Sequence, residues 1–270
     1  MRALEQIRQW PVRNAAAGVA VRGRGTVDTE GDTARVFPLA SVTKPLVAYG
    51  VLVAVEEGAI ELDQPAGPPG STVRHLLAHT SGLAFDSLAV QAEPGKRRIY
   101  SSAGFEVLAD FVAAQTDIPF DRYLHEAVFE PLGMTDSVLA GPAGHAGRSS
   151  VADLLRFADE LLSPSILSAE LHSEASTVQF PDRNGILPGY GSQRPNDWGL
   201  GFEIRDHKVP HWTGSDNSAA TFGHFGQSGT FLWVDPEVGV ACLSLADENF
   251  GDWARMAWPP LSDAVIAEFA

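Results

Sequence analysis

The chain has 270 residues, of which 44% are hydrophobic and 20% charged, and a formal net charge of −15. That length and balance suit a soluble globular protein with a real core, and argue against disorder or a membrane-spanning class. The acidic excess argues against nucleic acid or an anionic membrane as a partner, because phosphate binding needs clustered Lys and Arg.

Residues 1–10 are amphipathic, without an apolar core of signal-peptide length, and no stretch of 18 apolar residues follows anywhere. On that basis a cytoplasmic location is expected. A small-residue and Val-rich run at 15–22 predicts a strand, the Gly/Asp/Thr stretch at 23–32 a hairpin turn region, and 34–39 a path into a helix that starts near Ser41 and runs to Glu57. Between about 64 and 196 the signals are helical, at 73–79, 103–115, 120–129, 151–162 and 169–177, with no convincing strand. Strands return at 198–204, 219–224, 230–234 and 238–245, and a last helix at 252–269 is expected to be interrupted by Pro259-Pro260. The layout is an α/β part made from residues 1–63 and 197–270, with an all-helical insertion at 64–196. A cleft between the two is the natural place for a site.

The tetrad Ser41-Val42-Thr43-Lys44 puts a hydroxyl and an amine one helical turn apart. A serine at a helix start lies beside unpaired N–H groups, and a lysine on the same face can take its proton if burial lowers the amine pKa. That is the machinery of an acyl-enzyme. The same four residues also fit a plain serine N-cap with Lys44 on an exposed first turn. Cys242, the single cysteine, lies in an apolar run and reads as a small core residue; it leaves no intramolecular disulfide possible.

Four stretches settle the tetrad's context: Phe-Pro-Leu-Ala-Ser-Val-Thr-Lys-Pro at 37–45, Leu-Leu-Ala-His-Thr-Ser-Gly-Leu at 76–83, Tyr-Ser-Ser-Ala-Gly-Phe-Glu-Val-Leu at 100–108, and Phe-Gly-His-Phe-Gly-Gln-Ser-Gly at 222–229. Pro-Leu-Gly-Met-Thr-Asp-Ser at 131–137 and Trp-Gly-Leu-Gly-Phe at 198–202 add to them. In this order they resemble the serine β-lactamase and penicillin-binding-protein superfamily, in the branch of class C β-lactamases, D-stereospecific peptidases and family VIII esterases. The resemblance implies a β-lactamase/transpeptidase-like fold, an antiparallel sheet flanked by helices with a helical insertion. It also implies roles: Ser41 the nucleophile, Lys44 and Tyr100 a proton-handling dyad whose base is left open, and the N–H groups of Ser41 and Gln227 an oxyanion hole. Ser102, His224, Phe225 and Gly226 fall on the family's substrate-binding positions. No cofactor or metal is implied.

Two departures bear on substrate. Ser102 stands where β-lactamases carry asparagine, and His224-Phe225-Gly226 where they carry Lys-Thr-Gly, so an acylamino amide and a substrate carboxylate should both be gripped less well. Both point to a small ester, or a neutral amide, and to a carboxylesterase-like serine hydrolase. A transacylase on the same acyl-enzyme, a D-amino-acid amidase or DD-peptidase, a weak β-lactamase, and a catalytically silent binding relative are the alternatives. The loops at 85–98 and 179–196 are expected to shape the acyl pocket. His75 and His79 have a metal-compatible spacing but no third ligand, so a structural role is expected. Ser149-Ser150 with Asp153 reads as a helix cap, and Trp198, Trp212 and Trp233 as core or cleft wall.

Overall fold

The computed structural model describes residues 2–270. A short 3₁₀ helix, Ala3–Gln9, buries Ala3, Leu4 and Ile7, as the amphipathic pattern requires. It is followed by β1 (Ala15–Val21), β2 (Gly25–Glu30), β3 (Phe37–Pro38) and a 3₁₀ turn, Ala40–Val42, that opens α1 (Thr43–Glu56). Next come α2 (Val73–Leu77), α3 (Ala103–Thr116), and α4 (Phe120–Leu124), which widens into a π-helical turn at His125–Phe129. Then follow β4 (Val138–Leu139), β5 (Gly147–Ser149), α5 (Val151–Leu162), α6 (Ala169–Ala175), β6 (Gly185–Leu187) and β7 (Gly191–Gln193). The chain closes with β8 (Glu203–Ile204), β9 (Phe222–Gly226), β10 (Thr230–Asp235), β11 (Val240–Ala246) and α7 (Asp252–Phe269).

The main sheet is antiparallel, in the order β2-β1-β11-β10-β9-β8, so both ends of the chain meet in it. Along β10 the side chains alternate: Leu232 and Val234 join the core with α1 and α5, while Phe231 and Trp233 join the one with α7. Every residue of β10 and β11 is buried, because both faces are covered. Cys242 is fully buried on the α7 face. No described helix is long and apolar enough to cross a membrane.

Four local expectations are corrected. Most of residues 23–32 is strand β2, with the turn confined to residues 22–24. As the sheet edge, β2 tolerates polar residues, and its Asp28 and Glu30 pair with Arg2 and Arg8 at 2.6 and 2.8 Å. Residues 64–196 are not all-helical: β4 and β5 form a small sheet with β3, β6 pairs with β7, and α5 packs on β1 and β11. Strands two or three residues long carry no period a sequence could display.

The expected strand at 198–204 shrinks to β8, because residues 198–202 instead loop over α1. Gly201 has φ +89° there, and a Cβ on it would stand 2.1 Å from that of Ala48. Finally, α7 runs unbroken through Pro259-Pro260. The two carbonyls that lose their helical donors belong to Arg255 and Met256, both exposed to water, while Ala254, Trp258, Leu261 and Val265 hold one face against the sheet.

Candidate active site

Ser41 stands in the 3₁₀ turn before α1, beside the sheet's inner strands. Ala40 takes φ +45°, an unusual conformation for a residue with a Cβ, and turns the chain from β3 into that turn. Two hydroxyls, one from the β9–β10 turn and one from the first residue of β10, hold the approach: Ser228 Oγ donates to the Pro38 carbonyl at 2.7 Å and Thr230 Oγ1 to that of Leu39 at 2.8 Å. Ser41 is not an N-cap. The cap position of α1 is Val42, without a side-chain bond, and Lys44 is fully buried rather than exposed.

Lys44 Nζ lies 2.7 Å from the Gly144 carbonyl, 3.1 Å from Ser102 Oγ and 3.5 Å from Ser41 Oγ. It also sits 4.6 Å from the centre of the Tyr100 ring. Burial brings its pKa down to about 7, against a smaller upward pull from Glu106. Glu106 on α3 accepts the N–H groups of Ala143 and Gly144 at 3.0 and 2.9 Å, and so presents the Gly144 carbonyl to the amine. A carbonyl can only accept, so one amine hydrogen is committed to Gly144. With a second on Ser102, the lone pair of the neutral amine is left for the Ser41 hydroxyl.

Tyr100 is half-buried and lies within hydrogen-bonding reach of Ser41. Burial lifts its phenol above the ordinary range, with the Ser41 bond pulling the other way, so it is neutral at pH 7. Its hydroxyl meets His224 Nε2 at 3.2 Å. His224 Nδ1 is 2.6 Å from the Phe225 carbonyl and must carry the proton there, which leaves Nε2 to accept from Tyr100. Burial, then the charge of Lys44, pushes the His224 pKa down to about 3. The imidazole is therefore a neutral acceptor already in use.

Gly226 lies against the Ser41 turn. A Cβ there would come 2.3 Å from the Leu39 carbonyl and 3.2 Å from Ser41 N, so only glycine lets strand and turn approach. Gln227 follows, fixed by a 2.8 Å bond from Phe250 N to its carbonyl. A cavity of about 160 Å³ opens between these groups, lined by Ser41, Tyr100, Trp198, His224, Phe225 and Gln227, with Phe85, Leu187 and Pro188 at its edge. Ser41, Lys44, Tyr100, His224 and Gln227 are thus brought together. Ser102 is not on the cavity wall; its hydroxyl lies behind Lys44. The Phe225 ring packs into the aromatic group on the α7 face, 4.9 Å from Phe250.

Several supporting residues went unread in the sequence. Glu106 and Gly144, which hold Lys44, carry no motif of their own. Glu203 reaches the same cavity, where Lys208 Nζ, His211 Nε2 and Trp212 Nε1 all surround its carboxylate, the last two at 3.0 Å. His79 packs beside Tyr100 at 4.7 Å, with Nδ1 accepting the Ser101 N–H. His75 meets Thr72 Oγ1 at 2.8 Å. The buried Arg98 guanidinium donates to carbonyls of Ala78, Gln179, Phe180 and Asn196, tying the two pocket loops to the end of α2. Ser150 caps α5, accepting from Asp153 N. Trp198, Trp212 and Trp233 are all buried, Trp198 in the cavity wall.

This geometry agrees with comparison to known proteins. A family profile described as Beta-lactamase matches residues 6–261. The chain belongs to the beta-lactamase family. It is 61% identical to the crystal structure of a beta-lactamase, Mb2281c from Mycobacterium bovis, with a TM-score of 0.98 over 99% of both chains. Esterase EstB from Burkholderia gladioli is 31% identical, over 93% of this chain and 86% of that protein. Penicillin-binding protein 4* from Bacillus subtilis is 28% identical, but the match spans 39% of this chain and 31% of that protein. The family is one of serine hydrolases, and the chain has its fold, an antiparallel sheet with flanking helices.

Proposed function

We propose that the protein is a serine hydrolase that cleaves small carboxylic esters through an acyl-enzyme on Ser41. The observation that carries this reading is a buried amine, Lys44, held near a pKa of 7 with its free lone pair towards Ser41 Oγ. Ser41 Oγ attacks the ester carbonyl carbon as its proton passes to Lys44, and the N–H groups of Ser41 and Gln227 receive the oxyanion. Collapse breaks the ester bond, the neutral Tyr100 phenol protonates the departing alkoxide, and the Lys44 ammonium returns its proton to the phenolate. Water then attacks the acyl-enzyme, giving one proton to Lys44, which passes it to the departing Ser41 oxygen as the acid is released. An ester is favoured because the wall offers no fixed cation for a carboxylate: His224 is neutral and Ser102 is occupied by Lys44. EstB is named an esterase, which supports the same choice.

The name of the 61% identical relative favours β-lactam hydrolysis as the second reading. Intact mass after reaction with a small fluorophosphonate should show one adduct per chain, on Ser41, and none in Ser41→Ala. Absence of the adduct on folded wild type would sink the mechanism. Turnover of 4-nitrophenyl butanoate beside a chromogenic cephalosporin then separates the two substrates.

The pH profile follows from Lys44. The free amine is the base, so kcat/KM should rise about tenfold per pH unit below 7 and level off above it. Glu106 holds the amine pKa up, so Glu106→Gln should move that rise to lower pH. A profile of wild type and variant from pH 5 to 9 checks both, and a shift to higher pH would contradict the assignment.

A further inference from the structure

The cleft does not end at the Ser41 cavity. Through Phe85, Tyr100 and Pro188 it continues into a second cavity of about 300 Å³, walled by Ile99 and Ile186. Through Arg97, Gly185 and Ile186 that one continues into a third, of about 430 Å³. The wall of the third cavity carries Lys96, Arg97, Arg183 and Arg194 against a single acid, Asp182.

The backbone builds this rim. Arg98 bridges to Gly185, and Gly185 pairs with Gln193, so three extended segments lie side by side and bring cations distant in sequence to one opening. None of the four forms an ion pair among the described residues, and of them Arg183 donates to the carbonyls of Gly95 and Pro181. In a chain of net charge −15, four cations and one acid around one mouth run against the overall sign and create a local positive potential.

We propose that this rim is a subsite for an anionic group, a carboxylate or a phosphate, at the end of the substrate remote from the ester. The substrate then has three parts: a carbonyl at Ser41, an apolar stretch over Ile99 and Ile186, and a charged terminus at the rim. This rests on the acyl-enzyme reading of Ser41 and names the substrate class for it.

Three matched 4-nitrophenyl esters test it: the neutral hexanoate, the suberate monoester with its free carboxylate, and 6-phosphonooxyhexanoate. At low salt, KM for the anionic esters should be about 10-fold below that of the neutral one, with kcat unchanged, and the gap should narrow as salt is added. The double variant Arg97→Ala/Arg194→Ala should lose the gap and keep its KM for the hexanoate, while Arg97→Lys/Arg194→Lys should retain most of it. The better of the two anionic esters identifies the anion. Equal KM values in wild type, or a gap that survives the double alanine variant, would overturn the subsite. If no ester is turned over, the Ser41 reading fails instead. Calorimetric titration with suberate and hexyl phosphate then decides the rim: binding lost in the double alanine variant supports it, and no binding by wild type refutes it.

Discussion

Lys44→Met should lower kcat/KM for 4-nitrophenyl butanoate by about 10³–10⁴-fold, at the upper end of what removing a general base costs. Methionine fills nearly the same buried volume, so the packing around residue 44 survives, but no lone pair remains to take the Ser41 proton. Neither neighbour can replace it. The Tyr100 phenol is held neutral by burial, and His224, with its pKa near 3, is too weak a base at pH 7. The residual activity should lose the rise through pH 7. A variant that kept both its rate and that rise would remove Lys44 from the mechanism.

The same substitution has a second readout in stability. An ordinary lysine keeps its proton to about pH 10.5, whereas folded Lys44 gives it up near 7. Between those values the unfolded chain holds more protons than the folded one, so this residue makes stability rise with pH across that window. Below pH 7 the cost of neutralising or burying the amine is at its full value, and above about 10.5 it is gone. The difference in melting temperature, Lys44→Met minus wild type, should therefore fall as pH is raised from 7 to 10. A difference that is flat with pH would show that the lysine is not neutralised on folding.

Glu203→Ala should destabilise the fold by about 3–5 kcal/mol, the cost of leaving a buried charge without its partner. Glu203 and Lys208 side chains are 2% and 1% exposed, and His211 and Trp212 complete the shell. Removing the carboxylate strands the Lys208 ammonium in a site with two carbonyls, of Asp197 and Ile204, to receive it. Burial alone would raise the Glu203 pKa, but Lys208 and His211 together outweigh it and hold it near 2. The stabilisation is thus fully present above about pH 4.5 and is lost as pH falls towards 2. Urea unfolding at pH 7 and at pH 3 checks both parts; the gap between wild type and variant should narrow at the lower pH. Because Glu203 reaches the Ser41 cavity and pairs through β8 with β9, activity should fall along with stability.

The proposed catalytic group was legible because its members carry motifs. Ser41 with Lys44, Tyr100, and His224 to Gln227 each sit in a short stretch whose order matches one family, and the structure brings those stretches to one cavity. What holds them was not legible. Glu106 looks like any acid on an amphipathic helix, and the Gly144 carbonyl is a backbone atom that any residue possesses. Arg98 resembles its neighbour Arg97 in sequence; yet one is buried on four carbonyls and the other lines an open rim.

Some expectations changed meaning once side chains were placed. Ser102 and His224 were expected to bind the substrate; the Ser102 hydroxyl lies on Lys44 instead, while His224 does line the Ser41 cavity and accepts from Tyr100 there. The proposal of Lys44 over Tyr100 as base, open in the sequence, rests on burial: low polarity disfavours the charged form of each group, freeing the amine and locking the phenol.

By itself, then, the sequence determined the family and the long elements α1, α3, α5, β10 and β11, and it named the residues proposed to react. Local periodicity and short motifs are enough for those. Only the tertiary structure decided that residues 151–162 cover the sheet, that β4 to β7 exist, that α7 survives two prolines, and that four cations far apart in the chain share one opening. These depend on contacts between distant segments, and on how far each polar group is removed from water, which no local pattern encodes.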